Sequence, residues 1–200
     1  KEEFGKQVEA EWEHIKEGVL KLEQKDIDHA QSFFTSPAYD ENAVDVNSFN
    51  EAKKSNRAFS NWAGRNLYPH KIPGYEAAVI SLKAPKIAPG DATDEQMDFI
   101  ADLSDQYSFG EIIVTHDQNL VLPNVKQADL FSLWEKLDTQ NLATSNIGLL
   151  TDMICCPGLD FCSLASAGSI PIAKQINEKF DDMDYLNDIG DIKIKMSGCV

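Results

Sequence analysis

The hydrophobic pattern of the first third of the chain is helical. In Glu2–Leu22 the apolar residues recur every three or four positions among Glu and Lys, which is the period of one helix face. The pattern predicts a second helix over Asp26–Phe34, with Asp26 as its N-cap, and a third over about Ser48–Leu67. We therefore expect residues 1–70 to form a helical linker region. The apolar residues of the first stripe are Phe4, Val8, Trp12, Ile15, Val19 and Leu22.

A mixture of strands and helices is predicted after Pro69. Thr93, with Gln96 three residues later, has the form of a capping box that begins a helix. The order of strand, helix, strand, strand and helix is most of a ferredoxin-like unit, in which helices cover one face of an antiparallel sheet. We therefore expect an α+β fold with a ferredoxin-like half-domain over residues 71–145, whose final strand comes from elsewhere. The predicted elements are Glu76–Lys83, Thr93–Tyr107, Glu111–Thr115, Leu120–Leu122 and Gln127–Leu137.

All four cysteines, Cys155, Cys156, Cys162 and Cys199, lie in the last part of the chain. A disulfide framework would spread its cysteines along a short secreted chain, so this clustering indicates metal or redox chemistry. A [4Fe-4S] cluster needs four converging thiolates, of which two usually come from one short loop. The loop from Cys156 to Cys162 has this form. Cys162 is predicted to begin a helix that ends near Phe180, and Cys199 follows a predicted strand over residues 191–196.

Other interpretations of the cysteines remain open from the residues alone. Zinc held by three cysteines and a histidine is one, although structural zinc sites usually space paired ligands two to four residues apart. A redox disulfide from Cys155 or Cys156 to Cys162 is another. The thiols could also be buried structural side chains in a binding module without redox function.

The run from Cys156 to Cys162, followed by Asp191–Val200, resembles the siroheme-dependent nitrite and sulfite reductases. In that family a C-x5-C pair is followed, about 35 to 40 residues later, by a C-x3-C pair at a strand end. A glycine typically precedes the second pair, as Gly198 does here. The resemblance implies that Cys156, Cys162 and Cys199 are [4Fe-4S] ligands. The fourth ligand, which in the family also bridges to the siroheme iron, would fall three positions beyond Val200, so we expect this fragment to lack a complete centre.

A second segment, Val114–Leu120, resembles the family's T-x-x-Q-N motif, which lies against the siroheme. Amide, hydroxyl and cationic donors suit the carboxylates of a tetrapyrrole, although a polar segment of this kind is also typical of an ordinary hairpin turn. His70–Tyr75 resembles the segment that opens the second half of these enzymes, and Lys71 is either a siroheme contact or an exposed turn lysine. The resemblance implies siroheme contacts by Thr115, His116, Gln118, Asn119 and Lys71.

The remaining expectations concern partners and location. A formal net charge of −15 disfavours nucleic acid as a partner, and no apolar run is long enough to span a membrane. We therefore expect a cytoplasmic protein. The resemblance implies a fragment of an assimilatory sulfite reductase, with nitrite reductase as the alternative. Its substrate would be sulfite or nitrite and its electron donor a flavoprotein or ferredoxin. The other halves of the same polypeptide would pack on it, and residues 146–200 would begin an α+β iron-sulfur/siroheme domain.

Overall fold

The computed structural model describes residues 1–18, 21–41 and 43–199, which divide into two compact units, 1–38 and 39–200. Val19 and Leu20 of the first predicted helix lie outside the described residues. So does Val200, the last residue of the predicted iron-sulfur domain.

The first unit contains two helices, α1 (Glu2–Ile15) and α2 (Gln24–Ser32). Helix α1 ends earlier than the predicted Leu22. The prediction of Asp26 as the N-cap of α2 is wrong, because the N-cap is Glu23, whose backbone is extended. Asp26 instead completes a capping box, since its carboxylate accepts a hydrogen bond from the Glu23 N–H at 3.0 Å.

The second unit is built on a four-stranded antiparallel sheet with the strand order β1-β2-β4-β3. Its registers pair Leu67 with Ala78, and Ile80 with Leu120. The pattern missed β1, which is the extra strand that the ferredoxin-like order required. It is a three-residue strand at the sheet edge and ends in Pro69, which lacks a ladder donor. The strands are β1 (Leu67–Pro69), β2 (Tyr75–Ile80), β3 (Ile113–Val114) and β4 (Leu120–Lys126).

Four helices pack with the sheet in the ferredoxin-like half of the second unit. The capping box is confirmed: the Thr93 hydroxyl accepts from the Gln96 N–H, and the Gln96 side chain accepts from the Thr93 N–H. The single helix predicted over Ser48–Leu67 is wrong. The chain is extended at Asn56, whose side chain caps a new helix by accepting from the Phe59 N–H at 3.0 Å. The helices are α3 (Val46–Ser55), α4 (Arg57–Asn66), α5 (Asp94–Tyr107) and α6 (Leu130–Thr139).

One large apolar core joins these helices to one face of the sheet. Alternate residues of β2 and β4 face it, and α4, α5 and α6 cover it. This arrangement confirms the α+β class and the ferredoxin-like half-domain. The last helix of the predicted linker region, α4, is part of this core. Members of the core that are at most 2% exposed include Phe59, Trp62, Ala78, Ile80, Ile100, Leu103, Leu122, Leu130, Leu133 and Leu137.

The cysteine-bearing part has a two-stranded parallel sheet of β5 (Ile154–Cys155) and β6 (Lys195–Met196). Helices α7 (Ile170–Lys179) and α8 (Met183–Ile189) connect the two strands. The helix predicted to start near residue 163 starts only at Ile170. Two small apolar clusters support this part. None of the helices among the residues with described structure is long and apolar enough to cross a membrane.

Candidate functional site

The polar segment between β3 and β4 forms a tight hairpin. The Thr115 hydroxyl donates to the Asn119 carbonyl at 3.0 Å and accepts from the Asn119 N–H at 3.1 Å. Gln118 sits in the left-handed region, with φ at 58°. Thr115 therefore has the structural role that Ser and Thr commonly take in turns.

The side-chain amides of Gln118 and Asn119 form hydrogen bonds within the protein. The Gln118 side chain donates to the Cys155 carbonyl at 2.9 Å and accepts from the Cys155 N–H at 2.8 Å. Asn119 is 2% exposed; its side chain accepts from the Leu82 N–H and donates to Asp152. These two residues, predicted to contact siroheme, join the hairpin to its neighbours in this structure.

The other two residues predicted to contact siroheme lie in different places. The His116 side chain is 85% exposed at the hairpin tip, with its imidazole 3.5 Å from the Asp117 carboxylate. Lys71 is exposed in the turn before β2. The strand β2 runs from the Lys71 end of the sheet to the hairpin end, and its six residues span about 17 Å. The structure brings the four hairpin residues together and leaves Lys71 apart.

A groove crosses the sheet face opposite the apolar core. It consists of two adjoining cavities, of about 290 and about 380 Å³, which share Tyr68, Asp117, Ile147 and Asp152 in their walls. Volumes of this order suit small ligands, which prefer an apolar floor with a few polar groups. Thr115 and His116 lie at the rim, and the floor is formed by Ala77, Val79 and Val121.

The cysteine loop lies against the end of β6. The Cys156 N–H donates to the Met196 carbonyl at 3.1 Å, and the Gly198 N–H donates to Cys156 Sγ at 2.9 Å. The N–H groups of Ser166 and Ala167 both donate to the Gly198 carbonyl. These bonds bring the loop that begins at Cys156 beside the segment that ends at Cys199.

Two glycines allow this close approach. Gly158 has φ at 59°, a conformation that side chains with a Cβ rarely adopt. A Cβ on Gly198 would lie 2.7 Å from the Ala167 carbonyl oxygen and 2.8 Å from Gly158 Cα, both of which are backbone atoms. The glycine before Cys199, noted from the family pattern, is therefore required here by packing.

The thiols of the adjacent cysteines have opposite environments. Cys155 is 3% exposed, and burial raises the pKa of its thiol. The Ser169 hydroxyl and the Gly198 N–H hold the pKa of the Cys156 thiol below its usual value. Ser169 Oγ lies 3.5 Å from Cys156 Sγ, and it donates its proton to the Cys156 carbonyl at 2.6 Å. Of the two adjacent thiols, Cys156 therefore has the environment that favours the thiolate, the form that binds metals.

The two other predicted ligands lie in irregular segments. The prediction that Cys162 begins a helix is wrong; it lies in a turn, where its N–H donates to the Gly158 carbonyl at 2.9 Å, eight residues before Ile170. Cys199 is exposed after β6. All four cysteines are free.

The described residues do not form a metal-binding arrangement in advance. Within residues 1–18, 21–41 and 43–199, no three Cys, His, Asp or Glu side chains are grouped to hold an ion. The donor chemistry nevertheless fits an iron-sulfur cluster, because three free thiols lie on one braced backbone and an N–H already points at one sulfur. Loading a cluster would require the thiols to move together from these positions.

Sequence reasoning missed Ser169, Lys83 and Asp152. Ser169 lies 13 residues from Cys156, and Lys83 pairs with Asp152 across 69 residues. A pattern read along the chain carries no signal for partners at these separations. The strand register and the loop path create both contacts.

Comparison with known protein families identifies one part of the chain. Residues 83–140, which include α5, β3, β4 and all of α6, match the model of the nitrite/sulfite reductase ferredoxin-like half domain. This part of the chain is therefore a nitrite/sulfite reductase ferredoxin-like half domain. This match lies within the half-domain that the apolar pattern predicted.

The chain is also similar to several chloroplastic ferredoxin–nitrite reductases. The protein from Zea mays is 27% identical over 119 residues, which are 56% of this chain and 20% of that protein. The protein from Betula pendula is 28% identical over 122 residues, covering 59% of this chain and 20% of its own length. The protein from Spinacia oleracea is 26% identical over 114 residues, covering 56% and 18%. The chain thus spans about a fifth of the length of these relatives.

Proposed function

We propose that this chain is part of a reductase that uses siroheme and a [4Fe-4S] cluster to reduce nitrite or sulfite by six electrons. The observation that carries the proposal is the contact of the Gly198 N–H with Cys156 Sγ at 2.9 Å, which brings the two cysteine segments together. That contact lies in a chain that also carries the family's half domain.

In this proposal Cys156, Cys162 and Cys199 hold the cluster. The Gly198 N–H and the Ser169 hydroxyl orient Cys156 and favour its thiolate. When bound, the cluster and siroheme supply electrons and an iron that binds the anion. Cys155 is not among the ligands, because it lies in β5 outside the Cys156–Cys162 pair and burial raises the pKa of its thiol.

The sheet groove is the proposed siroheme-facing surface. His116 is the predicted siroheme contact with the most accessible donor, since its side chain is 85% exposed at the groove rim. Thr115, Gln118 and Asn119 would shape that rim through their hairpin and interstrand bonds. Lys71 remains a predicted contact, at the other end of the sheet.

Nitrite is the substrate that we propose first, with ferredoxin as the electron donor. Three similar proteins bear the name ferredoxin–nitrite reductase, whereas the matched half domain is named for both nitrite and sulfite reductases. Sulfite with a flavoprotein donor is the second candidate. A cytoplasmic location and packing against the other halves of the reductase stay predictions.

The test uses the complete natural protein that contains this sequence. It is purified without oxygen, and its visible spectrum, iron and acid-labile sulfide are measured. Siroheme bands with about four irons from the cluster and one from siroheme are expected. Oxidation of reduced methyl viologen by nitrite and by sulfite then decides the substrate. A protein without siroheme bands and iron, after siroheme is supplied during expression, would contradict the proposal.

Matched serine variants test the ligands. Cys156→Ser, Cys162→Ser and Cys199→Ser should each lower cluster iron and change its electron paramagnetic resonance signal. Cys155→Ser is the control, because it changes the neighbouring thiol and should leave the iron content unchanged. Equal iron loss in the control and the three ligand variants would overturn the assignment.

A further inference from the structure

A buried ion pair joins the ferredoxin-like half-domain to the cysteine-bearing part. Lys83 Nζ lies 2.6 Å from Asp152 Oδ1, and the two side chains are 0% and 8% exposed. Lys83 follows β2 and Asp152 precedes β5. Removing two charges from water costs several kcal/mol for each, so such a pair persists only where further hydrogen bonds satisfy it.

Those further hydrogen bonds are present on both members. Lys83 Nζ also donates to the Asp117 carbonyl. Asp152 accepts from the Asn119 side chain at 3.0 Å and from the Gly148 N–H at 2.9 Å. Burial lowers the pKa of Lys83, and the neighbouring Asp152 opposes that effect. The pair is therefore the centre of a connected polar network rather than an isolated contact.

Gln118 extends the network from Asp152 to Cys155, which lies three residues further along the chain. Its side chain both donates to and accepts from the backbone of Cys155, as a neighbouring strand would. Hydrogen bonds from the hairpin and from Lys83 thus hold Asp152 and Cys155. The next residue is Cys156.

We propose that Lys83, Gln118 and Asn119 are positioning residues, which fix residues 152–155 and hence the start of the Cys156 loop against the half-domain. The part played by Cys156 rests on the proposed function. A ligand is held precisely when the groups around it are themselves fixed by packing and hydrogen bonds. The hairpin amides that resemble siroheme contacts would act through the protein, by holding the cysteine segment in place.

Thiol protection in the metal-free chain measures this positioning. Iodoacetamide labelling is followed at each cysteine by peptide mass spectrometry, with exposed Cys199 as the internal reference. In Gln118→Leu and Lys83→Met, buried Cys155 should be labelled at least about tenfold faster relative to Cys199, because the segment opens locally without its hydrogen bonds. Gln118→Leu removes no charge, so it keeps the test decisive if Lys83→Met fails to fold.

Leu137→Ala is the matched control for a general loss of stability. Leu137 is fully buried in the half-domain core and is not a member of the polar network. At equal free energy of unfolding, it should leave Cys155 better protected than either network variant. The same labelling rate in all three variants would overturn the proposal, because protection would then follow overall stability.

The double variant Lys83→Met with Asp152→Leu separates packing from positioning. Apolar residues in place of a buried ion pair often restore stability. Stability should recover while Cys155 stays more reactive than in the natural chain, since the bonds to Asn119 and Gly148 are lost. Full recovery of both the stability and the protection of Cys155 would contradict the proposal. Because this labelling needs no metal, its outcome is independent of the iron measurement that tests the proposed function.

Discussion

The ferredoxin-like half and the cysteine-bearing part are stabilised in different ways. The first has one continuous apolar core that includes Phe59, Trp62 and Leu133, each fully buried. The second has two small clusters, centred on Leu149 and Met153, and depends on glycine contacts and hydrogen bonds. A large core tolerates local errors in polar contacts, because apolar burial is not directional. A loop held by a few directional bonds does not, so substitutions in the two parts should have effects of different size and kind.

The largest expected effect is in the core. Phe59→Ala should lower the free energy of unfolding by about 3–5 kcal/mol, because it leaves a cavity where α4 packs against Phe131 and Trp134. Urea unfolding followed by circular dichroism measures this. Met97→Ala, at a residue that is 43% exposed on α5, should change stability by less than about 0.5 kcal/mol. Similar losses from both would remove the distinction between core and surface in this half.

The next effect concerns the close contact of the cysteine segments. Gly198→Ala should cost about 1–3 kcal/mol, because its Cβ would meet backbone atoms that cannot move independently. It should also speed labelling of Cys156. Gly64→Ala, in α4 with nothing within 4 Å of the new Cβ, should instead stabilise by up to about 1 kcal/mol. A neutral Gly198→Ala would contradict the packing requirement.

A smaller effect tests the helix start that the sequence predicted. Thr93→Ala should cost about 1 kcal/mol, because the Gln96 N–H loses its acceptor at the start of α5. Thr93→Ser keeps a hydroxyl and should retain most of that stability in the same urea experiment. If serine and alanine were equally destabilising, the cap would not be the cause.

The smallest effect is a dependence on pH. The pKa of Lys83 in the folded chain lies below its ordinary 10.5. Between the folded pKa and 10.5, the unfolded chain therefore binds more protons than the folded chain. The stability of the natural chain relative to Lys83→Met should therefore rise as pH increases through that window. Lys126 is the control of opposite sign, because its hydrogen bond with Asp40 raises its pKa. Relative to Lys126→Met, stability should fall as pH rises past 10.5. Urea unfolding at several pH values measures both differences in stability. If the two differences changed with pH in the same way, the expected effects of Lys83 and Lys126 would be contradicted.

Local signals along the chain predicted much of the half-domain. The capping box at Thr93, the apolar period of α6 and the strands around the hairpin depend on residues close in sequence, and the structure contains all of them. The break at Asn56 and the short edge strand β1 were missed. An extended residue between two helical stretches changes the apolar period little, and three residues are too few to show a strand period.

The sequence alone determined the α+β class, the half-domain and the grouping of cysteines near one end, because helix and strand periods and cysteine spacing are local properties. The tertiary structure decided which groups meet. It placed Gly198 on Cys156, Gln118 on Cys155, and Lys83 on Asp152, and it separated Lys71 from the hairpin. These contacts depend on strand register and on the crossing of loops distant in sequence, which no spacing along the chain records. In this structure the amides that the motif assigned to a cofactor hydrogen-bond Cys155 and Asp152.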